Sequence, residues 1–229
     1  MRYQDEDGFG PDDVATALSV SRETLGKLEK SVDILDDWRQ RINIIGPKER
    51  DRIWRRHIFD SLQLLPQITP GARILDLGSG GGYPGIPLAC ASSEGVSHVT
   101  MVESVGKKTT YLTDCVSRLG LPARVLNGRV EAQEGLGDFD YVTARAFAPL
   151  PKLLDYSYKW LKNGAVGLFH KGEQWKEEIA DAESAWSFSV AMTPSISRDG
   201  GVILTISEVE RASKGASHSG RSQPKGRRR

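Results

Sequence analysis

Apolar positions in the first part of the chain recur in steps of three and four. Leu18, Val20, Leu25, Leu28, Val32, Leu35, Trp38, Ile42 and Ile45 mark residues 14–45 as amphipathic helix. Gly46-Pro47 interrupts the pattern, and a second helical stretch follows over 49–65, ending before Pro66. Trp54, Ile58, Leu62 and Leu65 form its apolar stripe, with Arg52, Arg55, Arg56 and Asp60 toward the other side. After Thr69-Pro70-Gly71 the period changes. Short strands over 72–77, 98–103, 123–128, 139–146 and 165–171 alternate with helices over 84–93, 106–120, 150–161 and 173–183. Segments 187–193 and 200–210 then read as an antiparallel strand pair. This alternation predicts an α/β fold, a mostly parallel seven-stranded sheet with helices on both faces, preceded by a small helical region. The expected divisions are an acidic, disordered N-terminus over 1–13, a helical region over 14–66, an α/β domain over 67–210 and a tail over 211–229.

Composition adds what periodicity cannot. Hydrophobic residues at 38% and charged residues at 27% of the 229 fit a soluble globular protein rather than a membrane or disordered one. No apolar run approaches the length of a membrane span. The opening MRYQDEDGFGPDD lacks the basic start and apolar stretch of a secretory signal, so a cytoplasmic location is expected. Cys90 and Cys115 lie in apolar helical patterns without CxxC spacing and read as buried free thiols. His57, His98, His170 and His218 are scattered and suggest no metal site. The net charge of +1 hides an asymmetry: RASKGASHSGRSQPKGRRR, from residue 211, carries seven Lys/Arg and no acid, leaving residues 1–210 at about −6. Such a segment cannot bury enough apolar surface to order itself. It serves either as a solubilising end or as a phosphate-seeking arm.

The chemistry centres on Asp76-Leu77-Gly78-Ser79-Gly80-Gly81-Gly82-Tyr83-Pro84-Gly85, which joins the first expected strand to a helix. Glycines let a ligand approach the backbone, and a helix start offers free N–H groups. Gly80 to Gly85 satisfies GxGxxG, so a dinucleotide-dependent oxidoreductase is a competing reading. Counted from Gly78 at the strand end, however, that pattern fails at Tyr83. The Asp-Leu-Gly-Ser-Gly form instead resembles the first motif of class I S-adenosylmethionine-dependent methyltransferases. Glu103, ending the next strand, stands where an acid accepts hydrogen bonds from ribose hydroxyls in either cofactor class.

RHIFDS (56–61), DLGSGGGYPGIPLA (76–89), VESVGKKTTYL (102–112), GRVE (128–131), ARAFAPL (144–150) and FHKG (169–172) occur in this order and resemble the ribosomal small-subunit methyltransferase G family, also called glucose-inhibited division protein B. The likeness covers roughly residues 30–205. Tyr83 stands where that family often carries Leu or Phe, and Ala144-Arg145-Ala146 replaces the commoner Ser-Arg-Ala. The resemblance implies a Rossmann-like class I methyltransferase fold and transfer of a methyl group to guanine N7 in 16S small-subunit ribosomal RNA, naked or in a ribosomal particle. It implies S-adenosylmethionine bound by Gly78, Gly80, Tyr83, Glu103, Val130, Glu131 and Arg145, with Arg145 and Lys171 as catalytic candidates and no metal. RNA would meet Arg56, His57, Lys107 and Lys108. Plainer roles compete: Glu131 as a helix-start acid, Arg145 as a salt-bridge partner, His57 as a structural histidine. Asp60 is placed to orient Arg56 at i,i+4. A non-catalytic RNA-binding protein on the same fold is a third reading.

If the tail is an RNA arm, deleting residues 211–229 leaves S-adenosylhomocysteine affinity unchanged while RNA affinity falls most at low salt and its salt dependence becomes shallower. Salt-titrated RNA binding of the truncated chain checks this, and an untouched slope would reduce the tail to a solubilising end.

Overall fold

The computed structural model describes residues 3–212. The basic tail therefore lies outside the described residues, except that the last strand runs on to Arg211, one residue past the expected boundary. The α/β part forms a seven-stranded sheet from β1 (Ala72–Leu77), β2 (Val96–Glu103), β3 (Ala123–Asn127), β4 (Tyr141–Arg145), β5 (Val166–Lys171), β6 (Trp186–Pro194) and β7 (Val202–Arg211). Their order is β3-β2-β1-β4-β5-β7-β6, parallel except that β7 runs antiparallel to both neighbours. The chain order reverses between β1 and β4, and in open sheets of this kind ligands bind outside the strands' carboxyl ends at such a reversal.

Helices cover both faces because successive strand residues point to opposite sides. On one face Ile74, Val99 and Met101 pack with α4 (Gly85–Cys90), α5 (Gly106–Leu119) and the N-terminal helices α1 (Pro11–Leu18) and α2 (Arg22–Arg39). Leu75, Leu77, Val142 and Leu204 face the other core, with α6 (Leu150–Leu161) and α7 (Trp175–Glu183). The helical region is thus part of a shared core rather than a separate unit. The Trp38 Nε1–H donates to Asp114 of α5 at 2.8 Å, and Thr24 Oγ1 donates to the Cys90 carbonyl at 3.2 Å. Cys90 and Cys115 are both buried free thiols.

Two expectations fail here for physical reasons. The stretch over 49–65 is not one regular helix. It passes through a 3-10 turn (Pro47–Arg52), a π-helical turn (Trp54–Phe59), the short α3 (Asp60–Leu62) and another 3-10 turn (Leu65–Gln67). A π turn inserts an extra residue per turn, so Asp60 N–H meets the Arg55 carbonyl, and Asp60 rotates away from the i,i+4 line to Arg56. The N-terminus from Tyr3 onward is also ordered, because its acids have partners. Asp5 is 5% exposed and accepts the Trp54 and Arg55 backbone N–H groups at 2.9 and 2.8 Å. Glu6 pairs with Arg52 and Asp7 with Arg55.

Asp5 thus caps the irregular turn. Replacing it with Ala leaves the buried Trp54 N–H without an acceptor, a loss of about 1–3 kcal/mol. Asp5→Asn, which keeps one carbonyl oxygen, is expected to lose less. Urea unfolding of the three proteins measures this, and equal midpoints would show that Asp5 caps nothing of consequence.

Candidate active site

Each side chain of the glycine-rich turn is set by the strand ends around it. Gly78 and Ser79 donate their N–H groups to the Val102 carbonyl at 2.9 and 3.1 Å, which folds the turn across the end of β2. Gly78 adopts φ +66°, and a Cβ there would stand 2.1 Å from the Phe147 ring. A side chain is excluded at Gly78 on both counts. Beneath the turn, buried Asp76 accepts from Thr143 Oγ1 of β4 at 2.9 Å, leaving its other oxygen without a partner among the described residues. Burial pushes its carboxyl pKa up to about 6.

Glu103 is 7% exposed and accepts from the Gly80 N–H at 2.8 Å and the Val105 N–H at 2.7 Å. Each carboxylate oxygen keeps a second lone pair, so the clamped carboxylate can still accept from ribose hydroxyls. The Gly128 N–H donates to the Glu103 carbonyl, which draws the turn holding buried Val130 and exposed Glu131 to the same strand end. Lys107 and Lys108 open α5, just past Glu103. Val105 beside them is exposed.

Arg145, at the end of β4, is the junction of a second set of groups. Its guanidinium donates to the Arg56 carbonyl at 2.7 Å, to Asp60 Oδ2 at 3.0 Å and to His57 Nδ1. It also stands 5.5 Å from the centre of the Tyr83 ring. His57 Nε2 donates to Glu49 at 2.9 Å, which fixes the neutral tautomer. Burial, then the Arg145 charge, lowers the His57 pKa to about 4. For Asp60, neighbouring His170, Arg145 and Ser197 outweigh burial and hold the carboxyl below its ordinary range.

The structure revises several expected roles. His57 has an 8% exposed side chain with both ring nitrogens engaged, so it braces Arg145 instead of meeting RNA. Tyr83 turns its buried ring toward His57, with centroids 4.7 Å apart. Asp60 partners Arg145, not Arg56, as the π turn requires. Lys171 Nζ is 2.6 Å from Glu178 and 2.8 Å from the Ala148 carbonyl, and its 7% exposure leaves it little access. Two of its three donors are thus spent on holding the 145–150 turn. In that turn Ala146 takes φ +51°, a conformation rare for a residue with a side chain, which folds Phe147 back over Gly78.

A cavity of about 550 Å³ opens beyond Phe147, lined by Arg56, Arg145, His170, Lys171 and Arg198 among others. Sequence reasoning passed over Phe147 and Arg198. Phe147 lay inside the quoted ARAFAPL block without a charge to single it out, and Arg198 sat in a Gly-rich turn that reads as a plain connection. Among the described residues no group of three or more His, Cys, Asp or Glu is arranged to hold a metal ion, and no helix is long and apolar enough to cross a membrane.

The model of the family described as rRNA small subunit methyltransferase G matches residues 24–201. The chain belongs to that family. Within it, the ribosomal RNA small subunit methyltransferase G of Hyphomonas neptunium is 53% identical over 195 residues, covering 85% of this chain and 93% of the relative. That of Paramagnetospirillum magneticum is 39% identical over 217 residues, 94% of this chain and all of the relative. Solved structures of similar fold include an O-methyltransferase from Bacillus cereus in complex with SAH, with TM-score 0.55, 17% identity and coverage of 86% and 96% of the two chains. A mutant MtNAS in complex with S-adenosylmethionine has TM-score 0.54, 13% identity and coverage of 88% and 84%. Family membership decides between the two cofactor classes that the glycine pattern left open, in favour of S-adenosylmethionine. The dinucleotide reading falls away.

Gly78→Val places a β-branched side chain into the Phe147 ring and the wrong backbone region, so S-adenosylhomocysteine binding is expected to disappear in a protein that still unfolds cooperatively. Calorimetric titration checks this, and retained affinity would move the cofactor away from this turn.

Proposed function

We propose that this protein transfers a methyl group from S-adenosylmethionine to N7 of a guanine in 16S small-subunit ribosomal RNA, working in the cytoplasm. The observation that carries the reading is the adjacency of two differently built places: a glycine turn with a clamped carboxylate at the ends of β1 and β2, and, beyond Phe147, a cavity lined by charged groups at the ends of β4 and β5. When bound, S-adenosylmethionine supplies an electrophilic methyl group on a sulfonium.

The chain's own residues bind and orient. Glu103 accepts from the nucleoside, and Gly78 lets it lie against the backbone. Arg145, held by Asp60, His57 and the Arg56 carbonyl, fixes the helical region against the end of β4, so the wall of the cavity cannot drift relative to the turn. Guanine N7 offers a lone pair and carries no proton, so attack needs no general base. This suits a site in which His57 is neutral but sequestered, and Asp60 is held ionised by its partners. Rate then comes from alignment of the two reactants, an effect worth several kcal/mol when geometry is held.

Labelled S-adenosylmethionine and small-subunit RNA from cells lacking the modification test the proposal. Digestion should release the label as 7-methylguanosine. Label in another nucleoside, or none in RNA, would overturn it, the latter leaving a non-catalytic binding protein. Arg145→Ala is expected to abolish transfer and, because Asp60 is left buried without its cation, to destabilise the fold by about 3–5 kcal/mol. Transfer per folded molecule separates the two effects.

A further inference from the structure

Five of the charged groups that line the cavity are engaged within it: Arg145 with Asp60, Lys171 with Glu178, and Glu49 with the neutral His57. Two cations remain. Arg56, from the π turn, and Arg198, from the loop between β6 and β7, have no carboxylate partner among the described residues, and they reach the same cavity from elements remote in the chain. Both also line a neighbouring hollow of about 530 Å³, together with Gly172, Gln174, Glu173 and Asp199. The arginines therefore mark the boundary where one hollow runs into the next.

The backbone is shaped to seat Arg198 there. A Cβ on Gly172, just past the end of β5, would stand 2.9 Å from Arg198 Nη2, and one on Gly201 would stand 3.3 Å from its Nε. The side chain lies across two glycines. Planar guanidinium groups bind phosphate oxygens through paired donors, and two unpaired ones lining one cavity suit an anion that enters it. Phe147, half-buried and without a charge, walls the cavity on the side of the glycine turn and offers a face on which a base can stack.

We propose that Arg56 and Arg198 together clamp the sugar-phosphate backbone at the target nucleotide, so that its base enters the cavity along Phe147. This rests on the RNA reading above but names the anchoring residues, and it makes Arg198 an RNA-binding residue. The clamp positions without reading sequence, since phosphate contacts carry none.

Binding of unmethylated small-subunit RNA to the full-length chain, titrated with salt, tests it without relying on turnover. Arg198→Ala and Arg56→Ala should each weaken binding about tenfold and lower the salt slope by about 0.7. Arg198→Lys should lose affinity while keeping the slope, because the charge stays and the paired donors go. S-adenosylhomocysteine affinity, unchanged in every variant, shows that the fold and the glycine turn are intact. Wild-type affinity and slope in Arg198→Ala would overturn the clamp, as would a slope lost equally in Arg198→Lys. If the variants weaken RNA binding while the wild type places no label on guanine N7, the clamp stands and the catalytic reading falls. Normal methylation with unaltered binding in Arg198→Ala gives the reverse.

Discussion

A guanidinium buried at the end of a parallel strand is costly unless its surroundings replace water, and Arg145 meets that condition through three acceptors at once. Each comes from the irregular turn of residues 54–60, so the cation at the sheet's edge determines how that turn must be wound. A regular helix through Arg55–Asp60 would send Asp60 elsewhere and leave the charge uncompensated. The π turn, the neutral His57 and the Ser197 hydroxyl bonded to Asp60 are all accommodations to this one ion.

The periodicity carried the architecture well because the sheet obeys simple rules. The alternation of short apolar runs with helices located all seven strands, and the turn after 72–77 stood out because glycines cluster only where backbone must come close to something. What periodicity missed was local chemistry acting at a distance. Nothing in residues 49–65 signals that Asp60 will turn toward Arg145, since the reason lies in a partner 85 residues away. The N-terminal acids look like a solvated end until Arg52, Arg55 and two backbone donors are placed beside them. Histidine roles were equally hidden, because only packing shows that both nitrogens of His57 are spent. The placement of the glycine turn and of Glu103 at neighbouring strand ends was legible from spacing. Phe147 and Arg198 were not, since an aromatic after a strand and an arginine in a loop are common for unrelated reasons.

Phe147 stands between the glycine turn and the cavity, and its position follows from the backbone on either side. The left-handed Ala146 turns the chain back, while Lys171, tied to Glu178 and to the Ala148 carbonyl, stops the turn from opening. The same Glu178 carboxylate accepts the Leu150 N–H at the start of α6. One acid thus serves a helix start, a buried lysine and the loop over the cavity, which ties α7 to the geometry beside the glycine turn.

The bonds that close the site join segments remote in the chain. Gln63 accepts from the Ile196 N–H, and Asp60 accepts from the Ser197 hydroxyl, over separations of 133 and 137 residues. Contacts of such long range form late, because the loop entropy of closing them must be offset by structure already in place. During synthesis the helical region and the glycine turn emerge well before the β6–β7 hairpin exists. A ribosome-bound chain can hold a finished glycine turn while Asp60 still lacks the Ser197 hydroxyl. On the proposed function, competence toward RNA would arrive with the final hairpin, so an incomplete chain would carry the glycine turn but not the wall against which a substrate strand is held.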